Sequence, residues 1–330
     1  MNSSRRFAAL FLLLLLGPLS GAAAPPAARA AVVERFAADP LAAQGTNPFF
    51  LEGDVPDHFV FLPDEPAHFP GDREGTLRVL YDTTVPAARI ATPLGRVLSL
   101  DDDFGFGAVL TIRSEGYEAS PDGFDQIAFG LWNSSTTGLD RTGFPSDSFD
   151  LVELDYFANV NPVFGGPFLS PTVFGGNVGG NAFFNFTFQS TEVRLPFDVP
   201  LLVRVEYGAA ARRLGVTVSR LGRGLFFEAI PGAAVTVDLS TIRPTFLVDS
   251  IGIAAYFEGF PSLRAAVDYD LLYAGPLPRP FGVAGRKPRP ARAEDAGARP
   301  AGAGRRIPGA GNRTAPASTI VNHDQEGGAR

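Results

Sequence analysis

From Ala31 to Gly275 apolar residues fall mainly at every second position, in runs of four to nine broken by Gly, Pro, Asn and Asp. A period of two sends successive side chains to opposite faces, as half-buried β-strands require. Almost no segment holds the 3.6-residue period of an amphipathic helix. The pattern predicts eleven strands: His58 to Leu62, Thr76 to Asp82, Phe104 to Ile112, Asp125 to Leu131, Asp150 to Ala158, Phe184 to Gln189, Leu201 to Tyr207, Leu214 to Arg220, Ala234 to Leu239, Ser250 to Phe257 and Ala265 to Tyr273. Eleven short strands in one such stretch suit a single all-β sandwich of two antiparallel sheets. Two immunoglobulin-like domains are the architectural alternative, but no internal repeat or polar linker near the midpoint supports them.

The ends of the chain read differently. Arg5 and Arg6 precede a leucine-rich run from Phe7 to Leu16, and Ala28-Arg29-Ala30 offers a small-x-small cleavage pattern. Residues 1–30 are therefore expected to be a signal peptide, and the mature chain to start at Ala31, secreted to the periplasm or outside the cell. The run is shorter than the roughly 20 apolar residues a membrane span needs, so no membrane insertion is expected. Residues 276–330 are rich in Pro, Ala, Gly and Arg without apolar periodicity, which predicts a disordered basic tail.

Charge and composition narrow the chemistry. The sandwich segment carries fifteen basic and thirty-one acidic residues, a net charge of −16, while the tail carries +6. An acidic body repels nucleic acid. There is no cysteine, so disulfides, thiolate metal sites and cysteine nucleophiles are excluded. With only His58, His68 and His323 and no Gly-x-Ser-x-Gly elbow, a Ser-His-Asp hydrolase or a multi-histidine metal centre has little to be built from.

The segment richest in candidate chemistry is Asp150 to Asn159, DLVELDYFAN. Alternation places Val152, Leu154 and Tyr156 on one face and Glu153, Asp155 and Phe157 on the other. Two carboxylates with Cα atoms roughly 6.6 Å apart on one face call for a cation or a shared proton. No Lys, Arg or His lies between Arg141 and Arg194, so the compensating partner must be a neighbouring strand, a metal ion or water.

Glu153-Leu154-Asp155-Tyr156-Phe157-Ala158-Asn159 resembles the metal-binding strand and loop of the legume-type lectins, in the concanavalin A-like lectin/glucanase superfamily. Asp125-Gln126-Ile127-Ala128-Phe129 is similar to that family's Asp-Gly-Leu-Ala-Phe strand. The resemblance implies a concanavalin A-like jelly-roll sandwich. It also implies a transition metal on Glu153, calcium on Asp155, the Phe157 carbonyl and Asn159, and sugar contacts from Asp125 and Asn159. Departures accompany it: Asn161-Pro162 stands where the family has Asp-Pro, the completing histidine is missing, and Gln126 replaces the usual glycine.

Three functions follow as expectations. The first is a secreted lectin-like protein that binds a glycan or polysaccharide, with calcium as its implied cofactor and Trp132, the only tryptophan, as a stacking platform beside Asp125 and Asn159. The second is a glycoside hydrolase of the laminarinase type, in which Glu153 and Asp155 would be catalytic and a further carboxylate is required. The third is a structural or adhesive surface module. Asp101-Asp102-Asp103 reads as a turn capping the sheet, with calcium binding as the alternative.

Overall fold

The computed structural model describes residues 32–42, 49–63, 75–123, 125–139, 148–159, 165–177, 186–223, 226–241 and 246–275. The expected signal peptide and tail, as well as His68, His323, Asn161 and Pro162, lie outside these residues. In chain order the elements are β1 (Val32–Glu34), β2 (Phe50–Gly53), the one-turn helix α1 (Val55–His58), β3 (Phe59–Leu62), β4 (Thr76–Asp82), β5 (Ala88–Leu98), β6 (Phe104–Ile112), β7 (Glu118–Ala119) and β8 (Gln126–Trp132). There follow β9 (Leu151–Phe157), β10 (Phe168–Phe174), β11 (Phe186–Phe188), β12 (Thr191–Glu192), β13 (Leu201–Gly208), β14 (Arg213–Leu221), β15 (Phe227–Asp238), β16 (Val248–Ala255) and β17 (Leu263–Ala274).

These strands form two antiparallel sheets. The larger runs β15-β14-β13-β6-β17-β4-β3, with β1 and β7 added on β17; the smaller runs β11-β10-β9-β8-β16-β5-β2, with β12 added on β10. Each sheet joins a run of consecutive strands, β13 to β15 or β8 to β11, to strands from distant parts of the chain, β6-β17-β4 or β16-β5-β2, so the connections cross between sheets as in a jelly roll rather than forming a simple meander. The all-β sandwich expected from the alternation is the fold observed. Between the sheets lies one apolar core in which Phe106 packs edge-on against Phe129 and Phe129 against Tyr269, with ring centroids 6.1 and 6.4 Å apart. Each such fully buried side chain contributes about 1.5–3 kcal/mol of transfer free energy.

Two long strands were missed because proline disguises them. In β5, the pairing with β16 runs from Ala88 to Pro93 and resumes only at Leu98, and Gly95 takes φ +70 in the extra residues between. That bulge absorbs a proline that a regular ladder would reject. In β10, Pro171 falls in the gap between the residues paired to β12 and those paired to β11, so no outer neighbour needs its missing N–H.

Alternation also misled about burial. β8 is buried along its whole length and β9 up to Tyr156, so the outward face of the smaller sheet is not a wet surface. The turn at Asp101 to Asp103 is a capping turn: Asp102 Oδ2 accepts from the Ser99 amide and hydroxyl at 2.9 Å each, and Asp103 Oδ1 accepts from the Ala209 amide at 2.7 Å.

Candidate functional site

The outward face of the smaller sheet is built around small residues. Gly252, Gly130 and Glu153 lie abreast on β16, β8 and β9. A Cβ on Gly252 would sit 2.4 Å from the Trp132 ring, and one on Gly130 would sit 2.7 Å from the Glu153 Cα. The absence of a Cβ on Gly252 leaves room for the indole. Glu153 Oε2 then accepts from the Tyr256 hydroxyl at 2.6 Å and from Trp132 Nε1 at 3.4 Å. Arg89 covers the indole with its guanidinium 5.2 Å from the ring centroid, pairs with Glu52 and donates to the Thr137 carbonyl at 3.0 Å.

This arrangement corrects one expectation. Trp132 is fully buried beneath Arg89, so its ring has no free face for a sugar. It also closes the far end of β8, paired with Leu151, whereas Asp125 precedes the near end. For Glu153 the Tyr256 hydroxyl and the Trp132 indole, both from outside its own strand, are among the partners, as one of the three expected sources allows. Asp155, likewise buried, accepts from the Thr172 hydroxyl at 2.7 Å.

Asp125 and Asn159, by contrast, are brought to the same end of the sheet. Gln126 pairs with Phe157, which sets the residues just beyond each strand side by side. Asn159 Nδ2 donates to the Gly123 carbonyl at 3.1 Å. Both side chains are buried, Asp125 with only 2% of its surface exposed. Neither Asp125 carboxylate oxygen has a hydrogen-bond partner of ordinary geometry among the described residues. Burial pushes its pKa up to about 7; the Ser262 hydroxyl favours the charged form, while the neighbouring Glu258 opposes it.

The third side of this end is the segment after β16, Phe257-Glu258-Gly259-Phe260-Pro261, of which the alternation takes in only Phe257, as the end of a strand. Its signal was a break in alternation with two phenylalanines around a glycine. Phe257 and Phe260 are 38% and 43% exposed, uncommon for large apolar side chains in so aromatic-rich a core. Glu258 packs directly on Gly123, where a Cβ would stand 2.4 Å from its Oε2, so φ +96 and the carboxylate together demand glycine. Thr83 pins the segment. Its carbonyl accepts from the Glu258 and Gly259 amides at 3.1 and 3.0 Å, and its hydroxyl donates to the Phe260 carbonyl at 2.8 Å and accepts from the Ser262 amide at 3.1 Å.

The implied metals fit these residues poorly. Glu153 is held by Tyr256 and Trp132, which removes it from a transition-metal site. Among the described residues no group of three His, Asp or Glu side chains gathers that could hold a metal ion. Toward calcium, Asp155, the Phe157 carbonyl and Asn159 would supply three of the six to eight oxygens that calcium takes, and Asn161 lies outside the described residues.

No family model matches the chain, and no curated protein matches it. Among solved structures it is similar to a legume lectin-like domain from Entamoeba histolytica, at 12% identity and a TM-score of 0.43, over 75% of this chain and 98% of that one. It is also similar to the carbohydrate recognition domain of Emp47p (13%, TM-score 0.43, 71% of this chain and 91% of that one). A third similarity is to lectin II from Ulex europaeus (13%, TM-score 0.41, 69% and 97%). The sandwich of two antiparallel sheets that the sequence motifs imply is the architecture observed. Fold and site together define an antiparallel sandwich with an acidic, aromatic-rimmed cluster at one end of its smaller sheet.

Proposed function

We propose that this protein is a secreted lectin-like module that binds a glycan at the sheet end formed by Asp125, Asn159 and the Phe257–Phe260 segment. One observation carries the reading: Asp125 is a buried carboxylate with both oxygens unpaired among the described residues. Such a group costs about 1–3 kcal/mol or more until donors reach it, and vicinal sugar hydroxyls are donors of the right number and spacing. Phe257 and Phe260 add exposed rings of the kind on which the apolar face of a pyranose stacks. The lectin-like structures to which the chain is similar agree with this reading. Secretion, with residues 1–30 removed and 276–330 a basic tail, is part of the proposal and rests on the N-terminal pattern. Among the described residues no helix is long and apolar enough to cross a membrane.

The test is a glycan array probed with the full-length chain after export, in calcium and again in chelator, beside Asp125→Ala and Phe257→Ala. Signal on a defined set of glycans that both substitutions abolish supports the reading, and its loss in chelator shows that binding needs a divalent cation. An array blank in both conditions, with protein shown folded by its melting transition, overturns it and favours the adhesive or structural module.

A further inference from the structure

His58 ends the one-turn helix α1 and is fully buried. Its Nδ1 lies 2.7 Å from the Leu80 carbonyl oxygen, near the end of β4, and its Nε2 lies 2.9 Å from the Pro86 carbonyl oxygen, just before β5. A carbonyl oxygen can only accept, and a neutral imidazole carries a single N–H. The neutral ring therefore makes one of these bonds and sets a lone pair against the other oxygen, whereas the imidazolium makes both. Between the two carbonyls sits Thr83, whose own carbonyl accepts from the Glu258 and Gly259 amides. Resting on the lectin reading for its functional consequence, we propose that His58 is a positioning residue for the glycan-binding segment: its imidazolium clasps both flanks of the β4–β5 turn, and loss of its proton loosens the segment that Thr83 holds.

Burial penalises a cation, so the two carbonyls and the surrounding charges decide how firmly the ring holds its proton. Helix α1 packs on β3, β4 and β5. Of these, β3 carries no titratable side chain. β4 brings Asp82, whose carboxylate attracts the imidazolium, and Arg78, which is paired with Asp268. β5 brings Arg89, paired with Glu52, and Arg96 in its bulge, while Asp54 and Asp57 belong to the helix and its start. Asp82 is fixed in turn by the Thr84 amide at 2.9 Å and by Arg264 at 3.3 Å. A further tie between these segments, from the Asp54 amide to the Ala87 carbonyl at 3.2 Å, is neutral and does not change with pH. The sign follows: both His58 bonds are present on the acid side of the ring's titration, and one is lost as pH rises through it. Because both acceptors are backbone atoms of the strands that carry the turn, the loss is felt at Thr83 and hence at Glu258 and Gly259. Asp125 and Glu258 titrate beyond Thr83, on the segment's side, so a variant that removes only the imidazole separates their contribution from that of His58.

The experiment is NMR of the full chain, in which proton–nitrogen correlation spectra follow the His58 ring across its own titration and amide exchange is read on either side of it. His58→Gln assigns the ring signals by their loss, and its melting temperature checks its fold. Both ring nitrogens should carry protons on the acid side. Once intrinsic exchange rates are divided out, the Glu258 and Gly259 amides should lose about tenfold in protection on the alkaline side. In His58→Gln only the step that Asp125 contributes should remain. A His58 ring that never carries both protons in the folded chain overturns the clasp, and so does protection that ignores the ring's titration or changes identically in the variant. If the variant does not fold, the ring and exchange measurements on the parent decide by themselves. A glycan identified on the array should bind several-fold more weakly on the alkaline side, by a step absent from His58→Gln; the same pH dependence in both proteins overturns the positioning role. A blank array beside the expected exchange result upholds the clasp and removes the lectin reading alone.

Discussion

The Tyr256 hydroxyl donates to Glu153 Oε2 at 2.6 Å, across 103 residues of sequence and two intervening strand pairings. A carboxylate that reads from sequence as an exposed metal ligand is thereby a buried acceptor, held between a phenol and an indole. Tyr256→Phe removes this bond while leaving the ring in place. Because the acceptor is a carboxylate, the loss should be about 1.5–3 kcal/mol, measurable as a lower midpoint in urea with an unchanged slope. An unaltered midpoint would mean that Glu153 finds compensation elsewhere.

Asp125 should make stability depend on pH in a direction opposite to that of an ion-paired carboxylate. Its pKa stands at about 7 in the fold against an ordinary 3.8, so the folded protein holds a proton that the unfolded chain releases. The contribution is fully present below pH 3.8, falls away as pH rises toward 7, and is lost above it. Asp125→Asn keeps the neutral shape at every pH. It should therefore gain on the parent between pH 4 and 8, on the order of 1–2 kcal/mol once solvent screening is allowed for. Urea titrations of both proteins at the two ends of that range decide it; a constant difference would show that Asp125 does not titrate there.

Thr83 is expected to govern the binding segment without touching a ligand. Thr83→Val is nearly isosteric but leaves the Ser262 and Leu263 amides and the Phe260 carbonyl without their hydroxyl partner. A cost of about 1–3 kcal/mol should accompany faster amide exchange in residues 258–263 and several-fold weaker glycan binding. Exchange unchanged from the parent would mean that the two bonds from the Thr83 carbonyl suffice.

Gly252→Ala tests the seat of the tryptophan. The new Cβ would lie 2.0 Å from the Ile90 carbonyl oxygen and 2.4 Å from the indole, neither of which can retreat inside a paired sheet. A loss of about 3 kcal/mol is expected. Since Trp132 is the only tryptophan, its fluorescence reports the same event directly: blue-shifted and shielded from quencher in the parent, red-shifted and quenched in the variant.

Much of the architecture was legible in the chain because alternation is a local property. Thr76–Asp82 and Phe104–Ile112 were read to the residue, and most other strands to within two or three, since a period of two needs no knowledge of neighbours. β5 and β10 escaped because Pro93 and Pro171 are tolerated only through a bulge and a gap in pairing, and both are features of the partner strands. Within the site, the motifs at Asp125 and at Glu153 to Asn159 could be marked, but not whether they would be wet, buried or near one another.

Sequence by itself determined two-faced strands, an acidic body without thiols, and carboxylates at defined positions along two of those strands. Register decided the rest. Pairing Gln126 with Phe157 set Asp125 beside Asn159, and the same pairing carried Trp132 to the opposite end, under Arg89. Glu258, silent in the sequence, became the neighbour of Asp125 because β16 and β8 are adjacent in the sheet although far apart in the chain. Long-range pairing and burial are properties of the closed sandwich as a whole, so only the tertiary structure could turn one marked carboxylate into a sheet anchor and leave another waiting for a partner.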